Sequence, residues 1–209
     1  MDTREYQAII KWAGEIAEFR DDTTGRHIEH IGRYLSLLIT TANEKGIYQE
    51  TIATWDINSV VAASALHDIG KIQIPDAILL KSGRLTRLEF ETMKGHCLYG
   101  KQLIERLETR IPAQSFIHHA KQMAYYHHEK WDGTGYPEGL KGEKTPLNAR
   151  MMALVDVYDA LICERPYKPS YPHDHAIKLI KESRGTHFDP VLADLFVGLS
   201  KEIAKIGSD

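Results

Sequence analysis

The chain has 209 residues, 43% hydrophobic and 26% charged, with a formal net charge of -3, which bounds it to a globular protein of one sizeable core. That charge leaves no basic footprint for duplex nucleic acid, and two distant cysteines, Cys97 and Cys163, outside any C-x-x-C pattern, exclude a disulfide framework or zinc finger. The oddity is eleven histidines, a surplus that points toward metal chemistry.

The N-terminus has no apolar run of signal-peptide type, and no stretch approaches the about 18 apolar residues of a membrane span. A protein of the cytoplasm, with no membrane partner, is therefore expected. From Arg4 to Phe19, Ile9, Ile10, Ala13, Ile16 and Ala17 recur at helical spacing, predicting an amphipathic helix that buries them and shows Lys11, Glu15 and Glu18 to solvent. Trp12 and Trp55 are read as core. A second helix is expected from about Thr24 to Lys45, with His27 in its first turn and Gly46 at its end.

The small apolar run from Val60 to Leu66 leads into His67-Asp68-Ile69-Gly70-Lys71 and reads as a buried helix ending at the glycine. Pro75-Asp76 starts a short helical piece. Thr86-Arg87-Leu88-Glu89 is a capping-box pattern, predicting a short helix before Gly95 and His96 open another, with a stripe of Leu98, Leu103, Ile104 and Leu107. Ala113 to Tyr126 continues helically into His127-His128. Four glycines and Pro137 between Trp131 and Lys144 predict an ordered, irregular loop. Thr145-Pro146 reads as a cap and first helical position, and helices are expected from near Asp174 to Ser183 and from Asp189-Pro190 through Leu199. No period-2 run of strand length occurs, so the expected fold class is all-α.

Chemistry concentrates at a few positions. His67-Asp68 offers a nitrogen and a carboxylate that can bridge two cations, though a helix-end histidine beside a capping acid would look the same. Lys71 lies on the same face, near any bound anion. His96 and the pair His127-His128 are set at helix boundaries. Asp156 sits among Leu154, Val155 and Val157, where a charge is costly unless paired or metal-bound; a salt bridge is its alternative reading. His27 can supply one more nitrogen, and Glu129 is read as a partner that orients a ligand histidine.

His67-Asp68-Ile69-Gly70-Lys71, followed by His127-His128-Glu129 and Gly133-Thr134-Gly135-Tyr136-Pro137, resembles the HD-GYP family of the HD metal-dependent phosphohydrolase superfamily. Met93 to His96, Asp156 to Leu161, Arg165-Pro166-Tyr167-Lys168 and His187-Phe188-Asp189-Pro190 extend the resemblance over nearly the whole chain. It implies a helical bundle in which His27, His67, Asp68, His96, His127, His128 and Asp156 hold metal, Asp68 bridging. It further implies that Lys71 contacts the attacking water or a phosphate, that Arg165 and Lys168 bind phosphate, and that Tyr136 lines the cleft. The implied activity is hydrolysis of cyclic di-GMP to pGpG or GMP by a hydroxide bridging two cations. Another cyclic dinucleotide as substrate, or a slow signalling module, are the alternatives.

Mixed nitrogen and oxygen donors suit two iron or manganese ions better than magnesium. The family's third-metal glutamate is replaced here by Thr23, and a frequent arginine by His30, so two metals are expected. Residues 1–22 are read as an N-terminal helix, a linker to a regulatory domain in this family, and 23–209 as the catalytic domain. A diguanylate cyclase or regulatory domain and a second copy of the chain are the expected macromolecular partners.

Overall fold

The computed structural model describes residues 3–20, 26–110, 114–163 and 170–207. Its described residues form α1 (Thr3–Phe19), α2 (Arg26–Glu44), α3 (Gln49–Ile52), α4 (Ile57–Ala63), α5 (Asp76–Leu79) and α6 (Arg87–Glu108). They continue with α7 (Gln114–Tyr126), α8 (Leu147–Ile162), α9 (His173–Glu182), α10 (Pro190–Gly198) and α11 (Ser200–Ile206). No strand occurs among these residues; two isolated bridges, Asp132 to Lys141 and Arg184 to Phe188, only pin loops. The all-α expectation holds.

The core forms where α2 lays Ile31, Leu35, Leu38 and Ile39 against α8, which contributes Met151, Met152, Leu154, Val155 and Tyr158. Helix α7 packs on α4, α6 and α8, adding Ile117, Ala120 and Met123. Burying such a side chain stabilises by about 1.5–3 kcal/mol, so this seam fixes the relative positions of the elements that carry the histidines.

Several boundaries differ from the expectation. The two helices predicted around Gly95 are one, α6, because a mid-helix glycine costs only about 1 kcal/mol and the capping box of Thr86 and Glu89 starts it firmly. Helix α4 stops at Ala63, and 3-10 turns over Ser64–Leu66 and Ile69–Gln73 carry the chain past His67 and Asp68. Helix α8 is capped by Pro146 without a side-chain bond, one residue later than predicted. Helix α11 follows the last predicted one.

The larger correction is the face of α1. Ile10 and Ala17 are buried, but Ile9, Trp12 and Ile16 are exposed, Trp12 at 64%, and so is Phe19. Glu18, predicted to face solvent, is 4% exposed. Gly14 explains the choice of face: a Cβ there would stand 2.1 Å from the Ala65 carbonyl oxygen, so only this side of α1 can approach the 3-10 turns so closely. Gly70 makes the same kind of approach to α6, where a Cβ would meet the His96 oxygen at 1.9 Å. Leu98, read as buried, is also exposed.

Candidate metal centre

Five segments of the chain aim side chains at one region. His27 projects from the first turn of α2, His67 and Asp68 from the bend between the 3-10 turns, and His96 from the middle of α6. His127 and His128 follow the end of α7, and Asp156 lies on α8. Four of the imidazoles are locked from outside. His67 donates Nδ1–H to Ser64 O (2.9 Å), His96 to Met93 O (2.7 Å) and His127 to Met123 O (2.8 Å). His27 donates to the Asp159 carboxylate at 2.6 Å. A carbonyl oxygen can only accept, so each of those Nδ1 atoms carries the proton and each Nε2 presents its lone pair inward.

The inward atoms fall into two halves joined by Asp68. Its Oδ1 stands 3.3 Å from His96 Nε2 and 3.5 Å from His127 Nε2, which are 3.5 Å from each other; His128 completes this half. Its Oδ2 stands 3.4 Å from His67 Nε2. Asp156 Oδ1 lies 3.8 Å from His27 Nε2 and 3.9 Å from His67 Nε2. Bonds of about 2.0–2.2 Å to one cation set neighbouring ligand atoms about 3–4 Å apart, the spacing seen here. His67 Nε2 and Asp68 Oδ1 are buried and have no hydrogen-bond partner. Such orphaned acceptors are costly unless a cation satisfies them, so the donor set fits metal.

The electrostatics separate the halves. Burial opposes charge on His67, but Asp68, Asp156 and Glu18 outweigh it and raise His67 to about 9. Burial likewise opposes charge on His27, and its bond to Asp159 overcomes that and raises it. The field that favours a proton on those Nε2 atoms would favour a cation in its place, leaving the lone pairs to the metal. In the other half, burial lowers His96 to about 4 and takes His128 well below the usual range. These are neutral imidazoles, the ligand form. Asp68 is pushed up by burial, but the Lys71 ammonium, 2.8 Å from its Oδ2, and His67 hold it well below the usual carboxylate range.

The glycine-rich loop covers the second half. Tyr136 stacks on His128 at 4.7 Å between centroids and meets Phe90 edge-on, with the Lys94 ammonium 5.5 Å from its ring. Glu129 does not orient a histidine, as the sequence suggested; its buried carboxylate accepts the amides of Glu138, Gly139 and Leu140 at 2.7, 3.1 and 3.0 Å. The base of the loop is tied to the His187 region through Trp131 N to His187 O and Asp132 N to Thr186 O. Asp189 beside it accepts from Arg150 and Tyr48 and caps α10.

The structure thus brings together every predicted metal ligand, Lys71 and Tyr136. Arg165, Lys168 and Thr23 lie outside the described residues. Sequence reasoning missed Asp159, which joins His27 to His30 (3.3 Å from Nδ1 to Oδ1). It also missed Glu18, whose Oε1 stands 3.5 Å from His27 Nε2. The repeat of acids at Asp156 and Asp159 was the available signal for the former. Surface grooves of about 670 and 830 Å³ lie elsewhere, lined by none of the predicted ligands.

A family profile described as HD domain matches residues 25–192. A relative from Vibrio cholerae named "Probable cyclic di-GMP phosphodiesterase" is 45% identical over 93% of this chain and 44% of its own length. Another from that organism, named "3'3'-cGAMP-specific phosphodiesterase 2", is 34% identical over 94% of this chain and 35% of its own. The chain thus spans less than half the length of these relatives. Among solved structures, an HDG"Y"P protein, Bd1817 from Bdellovibrio bacteriovorus, matches with a TM-score of 0.60 at 18% identity, over 96% of this chain and 65% of that one. That likeness is one of fold. No helix among the described residues is long and apolar enough to cross a membrane.

Proposed function

We propose, since the chain belongs to the HD domain family of metal-dependent phosphohydrolases, that it hydrolyses cyclic di-GMP with two cations held across Asp68. The observation that carries this reading is the pair of donor halves sharing one carboxylate, Oδ2 facing His67 and Oδ1 facing His96 and His127. Iron or manganese suits the mixed donors. Bound there, two cations supply Lewis-acid activation of the attacking water and neutralise the phosphodiester.

The protein's own groups do the rest. The locked Nδ1 atoms keep the Nε2 lone pairs aimed without reorganisation. Lys71 sets a positive charge at the Asp68 edge of the site, where it can meet a phosphate oxygen or the attacking water. Tyr136, stacked on His128, gives a guanine base or ribose an aromatic wall. Arg165 and Lys168 are assigned to the second phosphate by the resemblance of their motif. Residues 23–209 form the catalytic unit in this reading, and a regulatory or diguanylate cyclase domain is its natural partner.

The relative named for 3'3'-cGAMP favours one second reading, a mixed cyclic dinucleotide as substrate. Metal-loaded protein offered cyclic di-GMP, 3'3'-cGAMP and a generic phosphodiester separates them. Cyclic di-GMP should be turned over at least tenfold faster than either; preference for 3'3'-cGAMP supports the second reading, and inertness toward all three defeats both.

A further inference from the structure

Glu18 is a carboxylate facing the inward Nε2 atoms that sequence reasoning did not place at the site. Its burial is set by backbone packing rather than by its own chemistry. Gly14 seats α1 on Ala65, and one turn past it the chain turns Glu18 inward at 4% exposure. The end of α1 is then fastened to the segment that carries Lys71. Arg20 donates to the carbonyls of Lys71, Ile72 and Ile74 at 3.4, 2.6 and 3.2 Å and pairs with Asp76. Glu18 therefore stands on a fixed helix end.

Its Oε1 lies 3.5 Å from His27 Nε2 and 4.0 Å from His67 Nε2. Asp156 Oδ1 approaches the same two nitrogens at 3.8 and 3.9 Å. Glu18, His27 and His67 together meet the spacing of ligands to one ion, and Asp156 borders the same two imidazoles. A plain ion pair with one imidazolium would bring Glu18 close to one ring, at hydrogen-bond distance, instead of to both at ligand spacing.

Resting on the two-cation reading above, we infer that Glu18 is a metal ligand of the His27–His67 half. That half then offers a cation Glu18, Asp68 and Asp156 with two imidazoles, while the other offers three imidazoles and a single Asp68 oxygen. Oxygen donors suit harder ions and imidazoles softer ones, so the two positions differ in metal preference. Helix α1 is consequently part of the centre, which extends the catalytic unit of residues 23–209 toward the N-terminus.

The test compares wild type with Glu18→Gln, which keeps the shape, and with Glu15→Gln on the same helix as control. Mn(II) is titrated into metal-free protein of each, equivalents are counted by elemental analysis, and spin coupling is read by electron paramagnetic resonance. Wild type and Glu15→Gln should bind two equivalents with a coupled signal. Glu18→Gln should keep one equivalent, weaken the other about 10- to 100-fold and show an isolated six-line spectrum, with an unchanged circular dichroism spectrum. Two coupled equivalents in Glu18→Gln at wild-type affinity overturn the assignment, as does equal weakening of both positions. Wild type that binds fewer than two overturns the two-cation reading, and this assignment falls with it.

Discussion

Asp159 touches none of the inward Nε2 atoms, yet it governs one of them. Burial pushes its carboxyl up, but bonds from His27 and His30 bring it to about 2, so it stays ionised and holds the His27 proton on Nδ1. Asp159→Asn leaves the shape but weakens that hold, and metal affinity should fall about 10- to 100-fold, as read by isothermal titration with Mn(II). Unchanged affinity would mean that His27 is oriented by packing alone. His119 makes a separate, structural prediction. Burial and then the His118 charge lower it to about 4, and its Nδ1 faces the Asn148 amide at 3.0 Å, a bond that a neutral ring accepts. The unfolded chain takes up that proton near 6.5, the folded one only near 4. Stability from this group is therefore complete above about pH 6.5 and lost as pH falls toward 4. The Tm of His119→Asn should drop less than that of wild type over this window, and parallel curves would refute the assignment. At this scale the ligands were legible because histidines and acids are scarce on apolar faces. The supporting residues were not, since the hydrogen bond from His27 to Asp159 spans the chain and leaves no local pattern.

Helices and loops decide which of those residues meet. The loop from Trp131 to Lys144 was legible from its glycines, but its anchor was not. Glu129 accepts three amides from a segment that the sequence does not mark as its neighbour. Charge-assisted bonds of this kind contribute about 1.5–3 kcal/mol, so Glu129→Gln should lower Tm by several degrees and open the loop to limited proteolysis near Gly139. Turnover should fall too, because Tyr136 rides on that loop against His128. A loop as resistant as in wild type would show that the aromatic contacts suffice. Helix α1 was misread for a different reason. It carries apolar residues on two faces, and periodicity finds a helix without saying which face the neighbour can reach. The contact through Gly14 to Ala65 selects the face with Glu18, a choice made by backbone clearance and absent from any hydrophobic stripe. Helix α6 ran through Gly95 because one poor helix former is outweighed by a capping box and many following good ones.

Across the whole molecule, α2 and α8 form the seam that brings His27 and Asp156 within 3.8 Å, although they lie far apart in the chain. The 3-10 turns insert His67 and Asp68 between that seam and the α6–α7 pair. The all-α class followed directly from the missing period-2 runs, whereas the convergence came only from the resemblance and then from the coordinates. Distances between elements are set by packing of α2, α7 and α8, which no single stretch of sequence encodes. The central claim is that Asp68 joins two cation positions into one hydrolytic centre. It is tested most directly by titrating Fe(II) or Mn(II), without oxygen, into metal-free protein while cyclic di-GMP turnover is followed. Turnover should be absent without metal and rise to a break at two equivalents per chain. Full turnover in the presence of chelator, or a break at one equivalent, would contradict it.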